Sequence, residues 1–199
     1  MQILGLFPTP VGIFNLDRDF TTVEKTLFLN LSNKNNTFNK ISKDQYVLNN
    51  VVMADLKKFI ESCIDQYVLV TCGKPKDFGL KITKSWCNYT KQGEEHHSHI
   101  HPHSYVSGVL YLQTNPGDNI TFYRNEQHHF MVQPQELNTF SSSTWTLPTT
   151  QGSLILFPSY FEHSVDPKKD NNMRISLSFN TFPIGTIGIP GTLQEMHFS

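Results

Sequence analysis

The sequence predicts a mainly β protein (α+β), in which helices precede an antiparallel sandwich or barrel. Apolar residues follow helical spacing in the first third and alternate from about Leu80 onward. Turn-forming residues such as Asn115-Pro116-Gly117-Asp118 separate the alternating runs. No helical pattern lies between those runs, which favours antiparallel pairing over a parallel sheet with crossover helices.

The length and composition fit one folded domain. The chain has 199 residues, of which 38% are apolar, and it contains 15 phenylalanines. We therefore expect a single domain over 1–199, with a helical part at about 1–79 and the β core at about 80–199.

Charge and apolar patterning exclude two classes of partner. Lysine plus arginine number 16 against 17 acidic residues, so the chain lacks the electrostatic footprint of a dedicated nucleic-acid binder. No apolar run approaches the roughly 20 residues of a membrane span, and the N-terminus does not resemble a signal peptide. Three irregularly spaced cysteines do not form a disulfide framework, so we expect a reducing, cytoplasmic setting.

Two helices are expected in the first third, after an opening apolar strand. The first begins with a capping-box pattern of Thr21 and Glu24 and continues with Val23, Leu27 and Leu31 at helical spacing. The second runs from about Val52 to Val70, and Gly73 and Pro75 end it. The segment 33–39 between them reads as a short polar loop.

Five strands are expected in the remaining two thirds of the chain. They cover about 81–89, 105–113, 119–123, 153–157 and 173–182. The helices would then pack on the outside of one sheet.

A cluster of histidines is the first candidate for chemistry. Residues two apart in a strand face the same side, so an H-x-H pair can bind one metal ion. On spacing alone, His97 and His99, His99 and His101, or His101 and His103 all qualify, and a solvated polar loop is an equal alternative. His163, which follows the fourth strand, can supply a third ligand, although a lone histidine there is more often structural.

Arg174 opens the last strand, and alternation places it on one face with Ser176, Ser178 and Asn180. That face either meets water or lines a barrel lumen, where the planar guanidinium would bind a carboxylate with two hydrogen bonds. The turn-rich segment 166–172 predicts a hairpin that returns this strand beside the one that His163 follows.

Together these residues resemble the iron(II)- and 2-oxoglutarate-dependent oxygenases. That family's pattern of H-x-D/E, a distal His and then R-x-S is matched by His99-Ile100-His101, His163 and Arg174-Ile175-Ser176. Asn88 and Gly93 precede His99 with a spacing seen in the family's nucleic-acid-repair branch, which selects His99 and His101 among the candidate pairs.

A closer resemblance is to a group of oxygenase-like proteins from tailed phages and bacteria. Their motif H-x-H-P-x-S-x-x-S-G-V-x-Y appears here as residues 99–111. It is preceded by W-x-N, at Trp86-Cys87-Asn88, and the chain also has their ending, at 152–165 and 174–180. The resemblance covers nearly the whole chain.

The resemblance implies a double-stranded β-helix, that is, a jelly-roll or cupin-like fold with N-terminal buttressing helices. It implies Fe(II) on His99, His101 and His163, with 2-oxoglutarate and O2 as co-substrates and hydroxylation of an unidentified substrate with release of succinate and CO2. Arg174 and Ser176 would bind the 2-oxoglutarate carboxylate. Asn88 and Tyr111 could also reach the co-substrate, or be a buried asparagine and a core tyrosine.

The remaining histidines are expected to be surface or substrate-rim groups; they are His96, His97, His103, His128 and His129. The expected setting is the cytoplasm, that of the host if the protein is encoded by a phage.

His101 departs from the family, which usually has Asp or Glu at this position. Two alternatives therefore stay open. One is a three-histidine cupin-type dioxygenase that does not use 2-oxoglutarate, which leaves Arg174 without a role. The other is a non-enzymatic, metal-binding jelly-roll with a structural zinc.

Overall fold

The computed structural model describes residues 1–73, 77–124 and 135–199. Its helices are α1 (Thr22–Asn30) and α2 (Ala54–Cys72), and two 3₁₀ turns, Val47–Asn49 and Val51–Met53, precede α2. The strands are β1 (Gly12–Asn15), β2 (Asn33–Asn35), β3 (Lys40–Ser42), β4 (Phe78–Thr90), β5 (His96–His99), β6 (Val106–Gln113), β7 (Asn119–Tyr123), β8 (Thr144–Pro148), β9 (Ser153–Pro158), β10 (His163–Val165), β11 (Arg174–Ile187) and β12 (Met196–Phe198).

The strands form two antiparallel sheets, as predicted. The major sheet has the order β1-β9-β6-β11-β4-β3-β2, with β12 paired to the far end of β11. The minor sheet has the order β5-β10-β7-β8. Because consecutive strands such as β9 and β10 lie in different sheets, the chain passes repeatedly from one sheet to the other, which is the double-stranded β-helix arrangement expected from the sequence.

The two sides of the major sheet bury different apolar groups. One side packs against the helices, and α2 contributes Leu56, Ile60, Cys63, Ile64, Tyr67 and Val68 to that core. A smaller apolar cluster joins β6, β7 and β9 and includes Val109, Tyr111, Ile120, Phe122, Ile155 and Phe157. The helices therefore buttress one sheet from outside. No described helix has the length and apolarity to cross a membrane.

Helix α1 has the predicted capping box, and Leu27 and Leu31 of the predicted apolar stripe pack against the core, but Val23 does not. The Glu24 N–H donates to Thr21 Oγ1 at 3.3 Å, and Glu24 Oε2 accepts from the Thr21 N–H at 2.7 Å. Val23 is exposed, whereas Glu24 and Phe28 are buried. Glu24 tolerates burial because Arg18 pairs with it at 2.7 Å.

Two sequence-based expectations about local structure are wrong. The segment 33–39, predicted as a polar loop, contributes the short hairpin of β2 and β3. The strand that begins at Arg174 does not return beside β9 or β10. It pairs with β4 and β6 in the major sheet, so Arg174 and His163 lie in opposite sheets. The hairpin prediction failed because turn residues indicate a change of direction but not which sheet the chain enters.

Candidate metal and co-substrate site

Three histidines converge between the sheets. His99 ends β5 and lies directly opposite His163 at the start of β10. His101 follows in the loop, where its backbone N–H donates to the Ser159 carbonyl at 2.9 Å. The ring centroids are 4.3 Å apart for His99 and His163, 5.0 Å for His99 and His101, and 5.2 Å for His101 and His163. One nitrogen from each ring lies within 4.8 Å of those of the other two.

Two of the three histidines have a hydrogen-bond partner for Nδ1. His99 Nδ1 lies 2.8 Å from the His97 carbonyl and His163 Nδ1 lies 2.9 Å from the Phe161 carbonyl. Because a carbonyl can only accept, both Nδ1 atoms carry the proton and both Nε2 atoms keep a free lone pair. The Asn180 side chain interacts with the third ring, His101, and favours its protonated form.

Burial keeps these imidazoles neutral. It lowers the pKa of His101 and His163 to about 3, and neighbouring histidines lower these pKa values further. Burial also lowers the pKa of His99. At neutral pH the three rings can therefore offer lone pairs to a metal ion without losing a proton.

The donor set fits a catalytic divalent metal. His101 Nε2 and His163 Nε2 are 3.4 Å apart, close to the separation of two nitrogens that each lie about 2.1 Å from one ion. Among the residues that the structure describes, the group contains three histidines and neither a carboxylate nor a cysteine. A structural zinc site usually has four protein ligands, whereas three leave positions open for small molecules.

A cavity between the sheets joins the histidines to the other predicted residues. It is lined by the metal-ligand candidates His99, His101 and His163, by all four predicted co-substrate residues, Asn88, Tyr111, Arg174 and Ser176, and by further groups that include Asn39, Trp86, Thr90, His96 and Ser178. The structure thus brings the predicted residues to one cavity.

Arg174 is buried in the cavity wall and forms an ion pair with Asp118. Its Nη1 donates to Asp118 Oδ1 at 3.2 Å, and Lys168 Nζ donates to the same oxygen at 3.3 Å. Asp118 is fixed in turn because its Oδ2 accepts from the Asn115 N–H at 2.8 Å. Arg174 Nε and Nη2 make no hydrogen bond to any described residue, so they are available to a ligand.

The other predicted co-substrate residues differ in how freely they could bind a ligand. Asn88 already accepts from Trp86 Nε1 at 3.2 Å and donates to Ser178 Oγ at 2.9 Å. Ser176 lies directly opposite Asn88 on β11 and is buried. Tyr111 is fully buried, which raises the pKa of its hydroxyl, while the nearby Arg174 lowers it.

Three cavity or wall residues were missed by the sequence analysis. His96, expected at the surface or rim, lines the cavity and stacks on His99 with ring centroids 4.4 Å apart. A β-bulge causes this, because His99 pairs with His163 and His96 pairs with Val165, so three steps on β5 match two on β10. Asn39 and Asp118 lie in turns, where spacing gives no signal for the side-chain direction. His97 and His103 are exposed, as expected, and the predictions for His128 and His129 lie outside the described residues.

Comparisons with known proteins identify a matching family model. The family model described as "Putative 2OG-Fe(II) oxygenase" matches residues 84–180. The search of curated proteins finds no match.

Several solved structures share the fold. HygX from Streptomyces hygroscopicus, with nickel and 2-oxoglutarate bound, matches with a TM-score of 0.61 and 11% identity over 87% of this chain and 82% of its own. The α-ketoglutarate-dependent epimerase SnoN from nogalamycin biosynthesis matches with a TM-score of 0.64 and 13% identity over 92% and 86%. The prolyl hydroxylase of Trichoplax adhaerens matches with a TM-score of 0.57 and 16% identity over 86% and 83%.

The structural matches establish the shared fold, and the family model covers the segment 84–180 that carries His99, His101, His163 and Arg174. Members of this family use Fe(II), 2-oxoglutarate and O2. The chain is therefore an oxygenase, and its residues 84–180 match the 2OG-Fe(II) oxygenase family model.

Proposed function

We propose that His99, His101 and His163 bind the catalytic iron through Nε2 and that Arg174 binds the distal carboxylate of 2-oxoglutarate in the same cavity. One observation carries this proposal: three neutral imidazoles and a buried guanidinium with free donors line a single space between the sheets. When bound, iron, 2-oxoglutarate and O2 supply the oxidising chemistry that hydroxylates a substrate and releases succinate and CO2.

The protein residues bind and orient the reactants. Three neutral ligands leave the full charge of about +2 on a ferrous ion, which favours a dianionic co-substrate. Arg174 presents a planar pair of donors to a carboxylate, and its burial strengthens that interaction. Ser176, one step inward on the same strand face, can add a hydrogen bond. Asn88 and Tyr111 form the wall beside it and restrict how the co-substrate lies.

The test is a titration of 2-oxoglutarate into the anaerobic Fe(II) protein. Arg174→Ala should weaken binding by more than tenfold, because loss of a desolvated carboxylate contact costs on the order of 2–5 kcal/mol. Arg174→Lys should restore only part of the affinity, since an ammonium cannot form the planar pair of bonds. Oxalate, which chelates a metal but has no distal carboxylate, is the control and should bind all three proteins alike.

Equal 2-oxoglutarate affinities for wild type and Arg174→Ala would contradict the proposal. That outcome would favour a three-histidine cupin-type dioxygenase, which the absence of a carboxylate from the described histidine group makes the second candidate. The remaining alternative is a non-enzymatic jelly-roll with a structural zinc. Metal analysis of protein purified without added metal, before and after treatment with a chelator, tests it. A structural zinc would resist the chelator, whereas an open three-ligand site would lose its metal.

Two finer features belong to the same proposal. The resemblance to oxygenase-like proteins of tailed phages and bacteria rests on the motif at 99–111. The cytoplasmic setting is supported by the cysteines Cys63, Cys72 and Cys87, all of which are free thiols in the structure. Purification of the protein from its natural source, with fractionation of the cell, would test both.

A further inference from the structure

The β2–β3 hairpin supplies a cavity residue with an unused hydrogen-bond donor. Asn39 is only 4% exposed and lines the cavity. Its Nδ2 has no hydrogen-bond partner among the described residues. A buried donor without a partner destabilises the folded protein, so such groups usually have a ligand or water to bind.

Asn39 is held firmly in its position. Its Oδ1 accepts from Asn36 Nδ2 at 3.1 Å, and its carbonyl accepts from the Asn36 N–H at 2.8 Å. The bond to Oδ1 fixes which end of the amide is satisfied within the hairpin. The other end, Nδ2, is therefore the donor that remains for a partner in the cavity.

Strand register places Asn39 at the Arg174 end of the cavity. Lys40 pairs with Tyr89 and Ile41 with Asn88, so the antiparallel register brings Asn39 opposite Thr90. Thr90 pairs in turn with Arg174 on β11. Asn39 and Arg174 thus lie in one row of the major sheet, about 10 Å apart across two strand-to-strand spacings. Side chains that rise from the same face at this distance can contact a small group lying between them.

We propose that Asn39 is a further co-substrate-binding residue, whose Nδ2 donates a hydrogen bond to the distal carboxylate of 2-oxoglutarate beside Arg174. This inference rests on the proposed function and deepens it. A carboxylate offers about four acceptor sites, more than Arg174 and Ser176 fill, so a third donor has an oxygen to bind. Asn39 lies outside residues 84–180, so this contact would be an addition by the N-terminal part of this chain to the family's domain.

Three variants separate a donor role from a structural one. Asn39→Ala removes the donor. Asn39→Asp keeps an oxygen to accept from Asn36 but replaces the donor with a negative oxygen. Asn36→Ala removes the same hairpin bond without altering a residue that lines the cavity. Each variant is titrated with 2-oxoglutarate and with oxalate as anaerobic Fe(II) protein, after circular dichroism and thermal unfolding establish that it is folded.

We expect Asn39→Ala to weaken 2-oxoglutarate binding about 10- to 100-fold, as for loss of a hydrogen bond to a charged group. Asn39→Asp should weaken it at least as much, because two carboxylates would face each other. Oxalate affinity should stay within about twofold in the Asn39→Ala protein, and Asn36→Ala should change 2-oxoglutarate affinity by less than about threefold.

Three results would overturn this inference and leave the proposed function intact. The first is an unchanged 2-oxoglutarate affinity in Asn39→Ala, and the second is an equal loss of 2-oxoglutarate and oxalate affinity in that variant. The third is an effect of Asn36→Ala as large as that of Asn39→Ala. The first would mean that water satisfies Nδ2. Wild-type protein that binds no 2-oxoglutarate, or an Arg174→Ala protein that binds it normally, would instead overturn the proposed function and this inference with it.

Discussion

At the scale of single residues, His101 is the main departure from the oxygenase family. An imidazole in place of a carboxylate needs a neighbour to orient the ring, and the Asn180 side chain interacts with this imidazole. Asn180 is fixed in turn because its Oδ1 accepts from Ser107 Oγ at 2.9 Å. Partners of this kind orient metal-binding histidines and set how strongly they bind.

Asn180 variants should therefore change metal affinity. Asn180→Ala should weaken Fe(II) or Zn(II) binding by about 10- to 100-fold, as is typical when such a partner is lost. Asn180→Asp should bind metal at least as tightly as wild type, because a carboxylate partner makes the imidazole more basic. Competition with a chelator measures both, and His101→Ala gives the scale for loss of a whole ligand.

Ser178→Ala is the matched control for Asn180. Ser178 lies two residues away on the same strand face but accepts from Asn88, so this variant should keep wild-type metal affinity within about twofold. Similar losses in Asn180→Ala and Ser178→Ala would indicate a general effect of the strand rather than orientation of His101.

The residues of the site could be predicted only where regular strand alternation determines the face on which a side chain lies. Alternation put Arg174, Ser176 and Ser178 on one face, and all three line the cavity. His96 was missed because a bulge interrupts alternation, and no single-strand pattern reveals a bulge. Asn39 was missed because its position depends on the pairing of β3 with β4, a contact between residues far apart in the sequence.

At the scale of elements, the centre of the major sheet depends on a close approach at Gly108. This residue lies on β6, between β9 and β11. A Cβ on Gly108 would lie 2.6 Å from Leu156 Cδ2 and 2.8 Å from Phe179 Cε1. Both neighbours are fully buried, so neither can move without disturbing the core.

Gly108→Ala should lower the free energy of unfolding by about 1–3 kcal/mol, since overpacking a tight core costs that much. Denaturant unfolding of the metal-free protein measures this. Gly79→Ala is the control, because a Cβ on Gly79, also in a strand, would make ordinary contacts with Ile184 at 3.4 and 3.7 Å. Equal stabilities for the two variants would show that the sheet centre adapts to the extra methyl group.

The predictability of the elements followed their length. The long strands β4, β6 and β11 gave clear alternation, and β7 has the predicted bounds. Strands of three or four residues, such as β10 and β5, are too short for a period to be read. The position of β11 in the major sheet, beside β4 and β6, follows from sheet closure, which no local pattern encodes.

At the scale of the whole molecule, the two sheets bury a cluster of imidazoles, and this should affect stability. Burial lowers the pKa of His96, His101 and His163 to about 3, and the pKa of His99 is lowered as well. The same closure that keeps these rings neutral for a metal therefore penalises their protonation in the folded protein.

The metal-free protein should accordingly lose stability as the pH falls from about 6.5 towards 3. In this window the unfolded chain, with histidines near the ordinary 6.5, binds protons that the folded chain does not, so acid favours unfolding. Each such histidine adds up to about 1.4 kcal/mol per pH unit to the slope.

The variant His163→Phe removes one of these titrating groups. A phenyl ring suits this position because the Phe157 ring lies 4.5 Å from the His163 ring, measured between centroids. We expect a profile shallower than that of wild type by up to one proton when denaturant unfolding is measured with a chelator at pH 7, 6, 5 and 4. Parallel profiles for the two proteins would contradict a buried, neutral His163, and a steeper one in the variant would reverse the sign of the argument.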